Sequence, residues 1–362
     1  MDTTTIAADT LRGVITDIFA AAGCAADEAE RIGTYLVSSN LAGHDSHGVI
    51  RTQRYVQWMK EGKVLAGQTL SVIADSPVHA LVDGNYGFGQ TVAPLAVDCG
   101  IAKARANGMA VIGLRHAGHI GRIGDWAERA ADAGLVSIHF VNVESGELVA
   151  PFGGVDRRFS TNPFCVGIPA DDGGPMLLLD MATSLVAEGK VLVASRGGKP
   201  VPPGSLVAPD GTFSSDPETL YGKLTPEAPR DPANGAGALT AFGLHKGSGI
   251  AFMCEILAGV LTGGGTSGPI PGGKRARISN GMLSIYIDPK TFGQPDFVAR
   301  ARDYAAYVKA SRPTTAGGEV LVPGEPEARM RAERLANGVP LTLDTWASIV
   351  ATARSLGVVV RQ

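Results

Sequence analysis

Two stretches of this 362-residue chain place imidazoles beside groups that handle protons and anions. The first runs His44-Asp45-Ser46-His47-Gly48-Val49-Ile50-Arg51, with Arg54 and Tyr55 following. It gathers an imidazole, a hydroxyl and a guanidinium into a short run. An imidazole titrates near neutral pH and can exchange a proton with a carbonyl oxygen. A guanidinium four residues on can hold a carboxylate through two parallel hydrogen bonds. Together they suit reduction of a keto group beside a carboxylate. The same residue types also suit a polar helix end in which Asp45 caps and His47 packs.

The second stretch, His116-Ala117-Gly118-His119-Ile120-Gly121-Arg122-Ile123-Gly124-Asp125, follows an apolar run ending at Leu114. Ligands of α/β sheets gather beyond the carboxyl ends of strands, and glycines there allow close backbone approach. A glycine-rich strand-to-helix turn with an exposed histidine is the plainer alternative. Each stretch contains a His-x-x-His pair, so a metal-dependent hydrolase or lyase competes with a reductase. No Glu sits between the paired histidines as in the zincin helix, and Gly118 and Gly121 disfavour a helix at the second pair. No metal is expected.

Three further segments could cradle a phosphate. Gly87-Phe88-Gly89 has two glycines of a dinucleotide fingerprint but lacks the third, and no acid stands convincingly downstream. Gly243-Leu244-His245-Lys246-Gly247-Ser248-Gly249 is stronger, because free amides, a lysine and a helix opening at Ile250 all favour an anion. A flexible entry to a buried helix would look the same. Asp180-Met181-Ala182-Thr183-Ser184 ends an apolar run and leads into a helix, with Thr183 or Ser184 as caps.

The elements that must position these groups follow from periodicity. Leu11, Val14, Ile15, Ile18 and Phe19 predict a helix, Asp27 to Glu30 open a second, and helical patterning continues to about Gly67. Strands are then predicted at 79–83, 109–114 and 135–143, alternating with helices at 90–107 and 125–133. Further strands are expected at 164–169, 176–180 and 282–287, with helices after Ser184 and Gly249. The Pro-, Gly- and Asp-rich stretch 197–234 reads as a long surface excursion. The chain closes on helices at 326–335 and 345–356, the latter capped by Asp344 and stopped by Gly357.

Composition narrows the class. Glycine is abundant (48 residues) and the formal net charge is −3, which fits a turn-rich α/β enzyme and gives no nucleic-acid surface. Cys24, Cys99, Cys165 and Cys254 form no CxxC, so a reducing cytoplasm is expected rather than a disulfide framework. The first residues lack a signal-peptide pattern. The most apolar run, 249–261, contains Glu255 and falls short of the ~20 residues that span a bilayer, so a soluble chain is expected.

Seven ordered segments together resemble the type 2 malate/L-lactate dehydrogenase family of NAD(P)-dependent oxidoreductases, which includes sulfolactate and ureidoglycolate dehydrogenases and diketogulonate reductases. They are Gly43–Arg51, His119–Asp125, Val149–Gly154, Thr161–Phe164, Leu179–Ser184, His245–Gly249 and Val322–Glu325. The resemblance implies a non-Rossmann, mixed-sheet α/β cofactor domain (76–309) inserted in a helical domain made from both termini (1–75 and 310–362). It implies a homodimer whose cleft the neighbouring subunit completes. His47 would exchange the proton at the substrate carbonyl with Ser46 beside it, and His119 would be the second active-site histidine. Arg51 would hold the carboxylate, assisted by Tyr55. Asp180, Met181, Ala182, Thr183, Ser184, His245, Lys246, Gly324 and Glu325 would contact NAD or NADP, or Asp180 would orient a histidine. The substrate class implied is a small 2-oxo or 2-hydroxy acid, or an imine counterpart. A cofactor-binding regulator without chemistry is a further class, disfavoured by the joint presence of Ser46, His47, Arg51 and His119. One departure from the family pattern is Val143 to Val149, whose Glu144 and Glu147 are expected near the approach of an anionic substrate.

Overall fold

The computed structural model describes residues 3–144, 146–195, 200–224, 231–268 and 277–360. From the amino end, strand β1 (Thr3–Ile6) precedes helices α1 (Ala8–Ala21), α2 (Ala26–Leu41) and α3 (Thr52–Lys60). Next come β2 (Ser71–Asp75), β3 (His79–Asp83), α4 (Gly89–Asn107), β4 (Met109–Ala117), α5 (Gly124–Asp132) and β5 (Val136–Val143). The middle holds β6 (Phe164–Pro169), β7 (Pro175–Met181), α6 (Glu188–Ser195), β8 (Leu206–Val207), β9 (Phe213–Ser214), α7 (Glu218–Tyr221) and β10 (Ala238–Leu239). Last are α8 (His245–Cys254), β11 (Asn280–Ile287), α9 (Phe297–Lys309), α10 (Glu325–Asn337), β12 (Val339–Thr342) and α11 (Leu343–Ser355).

Seven strands form one sheet in the order β2-β3-β4-β11-β5-β6-β7. β3 and β4 run parallel, while β11 inserts antiparallel between β4 and β5. This mixed sheet is the α/β arrangement that the resemblance implies, not the doubly wound parallel sheet of a Rossmann domain. Helices α4 and α5 cover it through Val92, Ala96 and Trp126, which meet Leu114, Val141 and Tyr286.

A second core is built from both ends of the chain. The α1 stripe Leu11, Ile15, Ile18 and Phe19 is fully buried and clusters with Ile32, Leu36, Ile349 and Ala353. Each such side chain contributes about 1.5–3 kcal/mol on burial. β1 pairs antiparallel with β12, Thr3 facing Thr342, which fastens the amino end to the carboxyl end.

Several expectations need correction. Ser71–Asp75 is a strand although all five residues are exposed; an edge strand with no buried face shows no alternation. The stretch 197–234 is not simply a surface excursion. Its described residues supply β8, β9 and α7, and Leu206, Leu220 and Tyr221 enter a third core with Val149, Val191 and Ala251; residues 197–199 and 225–230 lie outside the described residues. Helix α8 begins at His245 rather than near Ile250, with the Gly247 amide donating to Phe242 O at 3.0 Å. Neither Thr183 nor Ser184 caps a helix: their hydroxyls donate to Thr161 O (3.0 Å) and Val186 O (2.8 Å), and α6 starts at Glu188. The final helix is capped by Thr342, whose Oγ1 accepts from Thr345 N at 3.2 Å, not by Asp344. No helix among the described residues is long and apolar enough to cross a membrane.

Candidate active site

His47 sits in a tight double turn, Asp45–His47 and Val49–Arg51, between α2 and α3. Asn40 at the end of α2 organises it from below. Its Oδ1 accepts from Val49 N (2.8 Å) and its Nδ2 donates to Asp45 Oδ1 (2.6 Å). A Cβ on Gly48 would lie 2.1 Å from Asn40 Oδ1, so glycine is required for that approach. Arg334 of α10 grips Asp45 with two bonds, 2.6 and 3.1 Å. The far end of the chain thus holds the turn that carries His47.

His119 lies on the loop between β4 and α5, which is pinned on several sides. Ile120 N donates to Asn280 Oδ1 (3.1 Å), and Ile120 O accepts from the indole of buried Trp126 (3.1 Å). Gly89 at the start of α4 presses on the same loop; a Cβ there would stand 2.3 Å from His119 O.

These two segments bring His47 and His119 together, with nearly parallel rings 5.6 Å apart. Each ring has its Nδ1 tied to a hydroxyl: His47 to Ser46 Oγ at 3.0 Å, His119 to Tyr55 Oη. Among the described residues neither Nε2 has a protein partner. Burial, then the Arg51 guanidinium, pushes His47 down to about 3, with His44 and Arg122 adding to the effect. Burial followed by Arg51 and His47 holds His119 well below the ordinary imidazole range. Tyr55 is buried and is pushed up to about 12, so its hydroxyl keeps its proton. Arg51 spends its Nε on Ser46 O (2.6 Å), and among the described residues no carboxylate pairs with it. The Tyr55 hydroxyl is engaged by His119 and Gln90, a use beyond assisting Arg51.

The segments matched to cofactor contacts gather along β7 and its continuation. Asp180 accepts from Gly124 N (2.8 Å) and lies 3.7 Å from Arg122 Nε, so its partners in the structure are an amide and a guanidinium rather than a histidine. Met181 ends β7 opposite Phe164. Ser184 bridges to Ala241, with Ala182 and Thr183 between it and Met181. Gly324, at φ +96°, packs against Leu178 and opens α10, where Glu325 accepts from Val322 N. His245 and Lys246 open α8, beside Phe152. A largely apolar cleft of about 280 Å³ lies between Leu185, Phe213, Thr240 and Leu244, against this helix start. An apolar slot next to a helix N-terminus and a lysine is chemistry that suits a nucleotide: a place for a base and donors for phosphate.

The His-x-x-His pairs are split. His44 faces Glu327 (3.6 Å) while His47 faces His119, and His116 Nδ1 donates to Asp83 (2.9 Å) while His119 meets Tyr55. No three His, Cys, Asp or Glu side chains converge as metal ligands among the described residues. Glu144 adjoins Gly265, and Glu147 lies within electrostatic reach of Arg157, so neither contacts the imidazole pair; Ser145 between them lies outside the described residues. Sequence reasoning missed Asn40, Gln90, Arg334 and Asn280, all polar residues whose contacts cross between elements. A glutamine directly after the paired glycines Gly87 and Gly89 was the available signal for Gln90.

A sequence model of the malate/L-lactate dehydrogenase family matches residues 6–350. Hydroxycarboxylate dehydrogenase B of Escherichia coli is 41% identical over 352 residues, covering 97% of this chain and 94% of that protein. L-lactate dehydrogenase of Cupriavidus necator is 34% identical, covering 96% and 97%. The structure of malate dehydrogenase from Pyrococcus horikoshii superposes with a TM-score of 0.85 at 27% identity, over 99% of this chain and 97% of that one. The likeness runs through both chain ends and the sheet between them, and this chain belongs to the malate/L-lactate dehydrogenase family.

Proposed function

We propose that this protein is a cytoplasmic NAD- or NADP-dependent dehydrogenase that interconverts a small 2-hydroxy acid and its 2-oxo acid, of the malate, lactate or sulfolactate type. The observation that carries this reading is the imidazole pair, each Nδ1 held by a hydroxyl and each Nε2 without a partner among the described residues, next to Arg51. Arg51 holds the substrate carboxylate and thereby sets the 2-carbon near the two rings. In the free protein both imidazoles are neutral: His47 can take the hydroxyl proton as the alcohol is oxidised, while His119 offers a hydrogen bond to the substrate oxygen. A carboxylate seated on Arg51 offsets the cation that depresses both rings, so binding of the acid favours their protonation and readies them for the reverse direction. When bound, the nicotinamide supplies or accepts the hydride. His245, Lys246 and the start of α8 would hold its phosphates, with Asp180–Ser184 and the Gly324–Glu325 turn along the same edge.

The four cysteines are free thiols, in keeping with a reducing compartment. A homodimer is part of the proposal. Helix α9 has no buried residue and exposes Tyr304 and Tyr307, at 67% and 76%, as a second copy covering it would require. The test is a panel of 2-oxo acids and a cyclic imine acid, followed by loss of NADH or NADPH absorbance, with light scattering on the same sample. Turnover of a malate-, lactate- or sulfolactate-type acid by a dimer is expected. No turnover across the panel overturns the function, and a fully active monomer overturns the shared cleft.

A further inference from the structure

We propose that Gln90 is a positioning residue that fixes, through Tyr55, which nitrogen of His119 carries the proton in the neutral ring. The inference rests on the reading of His119 as an acid–base group and adds a residue to it. Gln90 is 1% exposed and stands in the first turn of α4, wedged under the His119 loop. Its Nε2 lies 3.4 Å from Tyr55 Oη and 3.4 Å from His119 O.

The orientation of that amide follows from the chemistry of its neighbours. A backbone carbonyl can only accept, so His119 O selects the NH2 end of Gln90 and excludes the oxygen end. The same NH2 group then donates to Tyr55 Oη. The Tyr55 hydroxyl, its oxygen engaged by Gln90, has two acceptors in reach, His119 O at 3.5 Å and the much closer His119 Nδ1, and its proton goes to the closer nitrogen. A neutral imidazole that accepts at Nδ1 carries its hydrogen on Nε2, the nitrogen without a partner among the described residues. The chain of donors runs Gln90 to Tyr55 to His119, and it sets the proton on the nitrogen open to substrate.

The geometry gives this relay little freedom. Gly89 is jammed against the His119 backbone and Trp126 and Asn280 hold Ile120, so α4 and the loop cannot slide past each other. Gly121 leaves room for the amide; a Cβ there would stand 3.1 Å from Gln90 Nε2. The Gln90 Oε1 is buried without a partner among the described residues, so the side chain's polar contacts there are made through its nitrogen.

The test uses full-length protein labelled with 15N-histidine, with the His119 signals identified by their loss in His119→Gln. In the wild type the neutral Nε2–H tautomer is expected. Gln90→Glu, measured above the titration of the introduced carboxyl, replaces the donor by an acceptor that draws off the Tyr55 proton. The Nδ1–H tautomer should then dominate, with kcat down by about 10²-fold as general acid–base help is withdrawn. Gln90→Met removes both polar atoms and should give mixed tautomers and roughly a 10-fold loss. In both variants KM for the acid and cofactor Kd should stay within about threefold, a split that a general loss of structure would not produce. An Nδ1–H ring in the wild type overturns the proposal, as does an unchanged tautomer in either folded variant, whatever happens to activity. Wild-type protein with the expected tautomer but no turnover would instead overturn the dehydrogenase reading and leave this assignment standing.

Discussion

His139 and the His47–His119 pair are imidazoles kept neutral by burial, yet their surroundings differ in one decisive respect. His139 lies in the sheet on β5, fully buried, with Nδ1 bonded to Ser284 Oγ (2.8 Å) and Nε2 to Ser137 Oγ (3.0 Å). Burial pushes it down to about 3, as far as His47. A depressed imidazole is therefore no mark of catalysis in this fold. His47 and His119 each give one nitrogen to a hydroxyl and leave the other without a protein partner among the described residues, whereas His139 spends both on the protein. The second difference is charge: Arg51 acts on both rings of the pair, and burial is the single influence on His139.

The strongest way to break this comparison is to remove one ring of each kind. His47→Ala should lower turnover by at least ~10²-fold, the contribution typical of a general acid or base, with NAD(P)H binding nearly unchanged. His139→Gln should leave kcat per folded molecule within about twofold, since no atom of His139 reaches the pair. Steady-state kinetics beside cofactor fluorescence titration decides it. Near-wild-type turnover in His47→Ala would shift the proton to His119 or to water.

Arg51 sharpens the charge half of the comparison. An ammonium keeps the charge but lacks the planar fork, so Arg51→Lys should fall at the low end of the cost of truncating a buried charge pair, about 2 kcal/mol. That is roughly a 30-fold loss in kcat/KM for the acid. Cofactor affinity should hardly move. An unchanged kcat/KM would place the carboxylate anchor elsewhere and remove the main physical support for a 2-oxo acid.

The same contrast explains what the sequence made legible. The strand–helix alternation from β3 to β5 was readable from period and apolar runs, as in β3, where Ala80 and Val82 are buried and His79 and Leu81 beside them are less so. β2 and α9 were not, because neither buries a face and so neither leaves a period. β1 and β12 are four-residue strands whose pairing joins the two ends of the chain, beyond any local window. In the site, His47, Ser46, Arg51 and His119 were visible by residue type and spacing. Asn40, Arg334 and Gln90 were not, because an amide or a guanidinium on a helix acquires its task from what folds against it. The helix start at His245 was misplaced for a related reason: a glycine-rich stretch reads as loop, although Gly247 is packed so tightly on Phe242 that a Cβ would lie 2.3 Å from its carbonyl oxygen.

The smallest expected effect concerns stability rather than rate, and it isolates His139 from the pair. Its imidazole titrates near 6.5 when unfolded and near 3 when folded. Between those values the unfolded chain holds about one more proton at this site, so stability contributed by the neutral ring is lost as pH falls from about 6.5 toward 3. Glutamine also offers a donor and an acceptor to Ser284 and Ser137 but cannot titrate. His139→Gln should cost about 1–2 kcal/mol at pH 7 through imperfect packing. Below pH 6.5 its stability should then fall less steeply than that of the wild type, by up to about 1.4 kcal/mol per pH unit. His47 and His119 add slope of the same sign, and Asp125, raised by burial to about 6, adds the opposite sign; all three are present in both proteins and cancel in the difference. Urea denaturation at pH 7, 6 and 5 should therefore show the gap closing or reversing as the solution is acidified. A gap that stays constant over that range would mean that His139 is protonated in the folded sheet, and the contrast drawn between a ring bonded at both nitrogens and a ring with one left open would lose its physical basis.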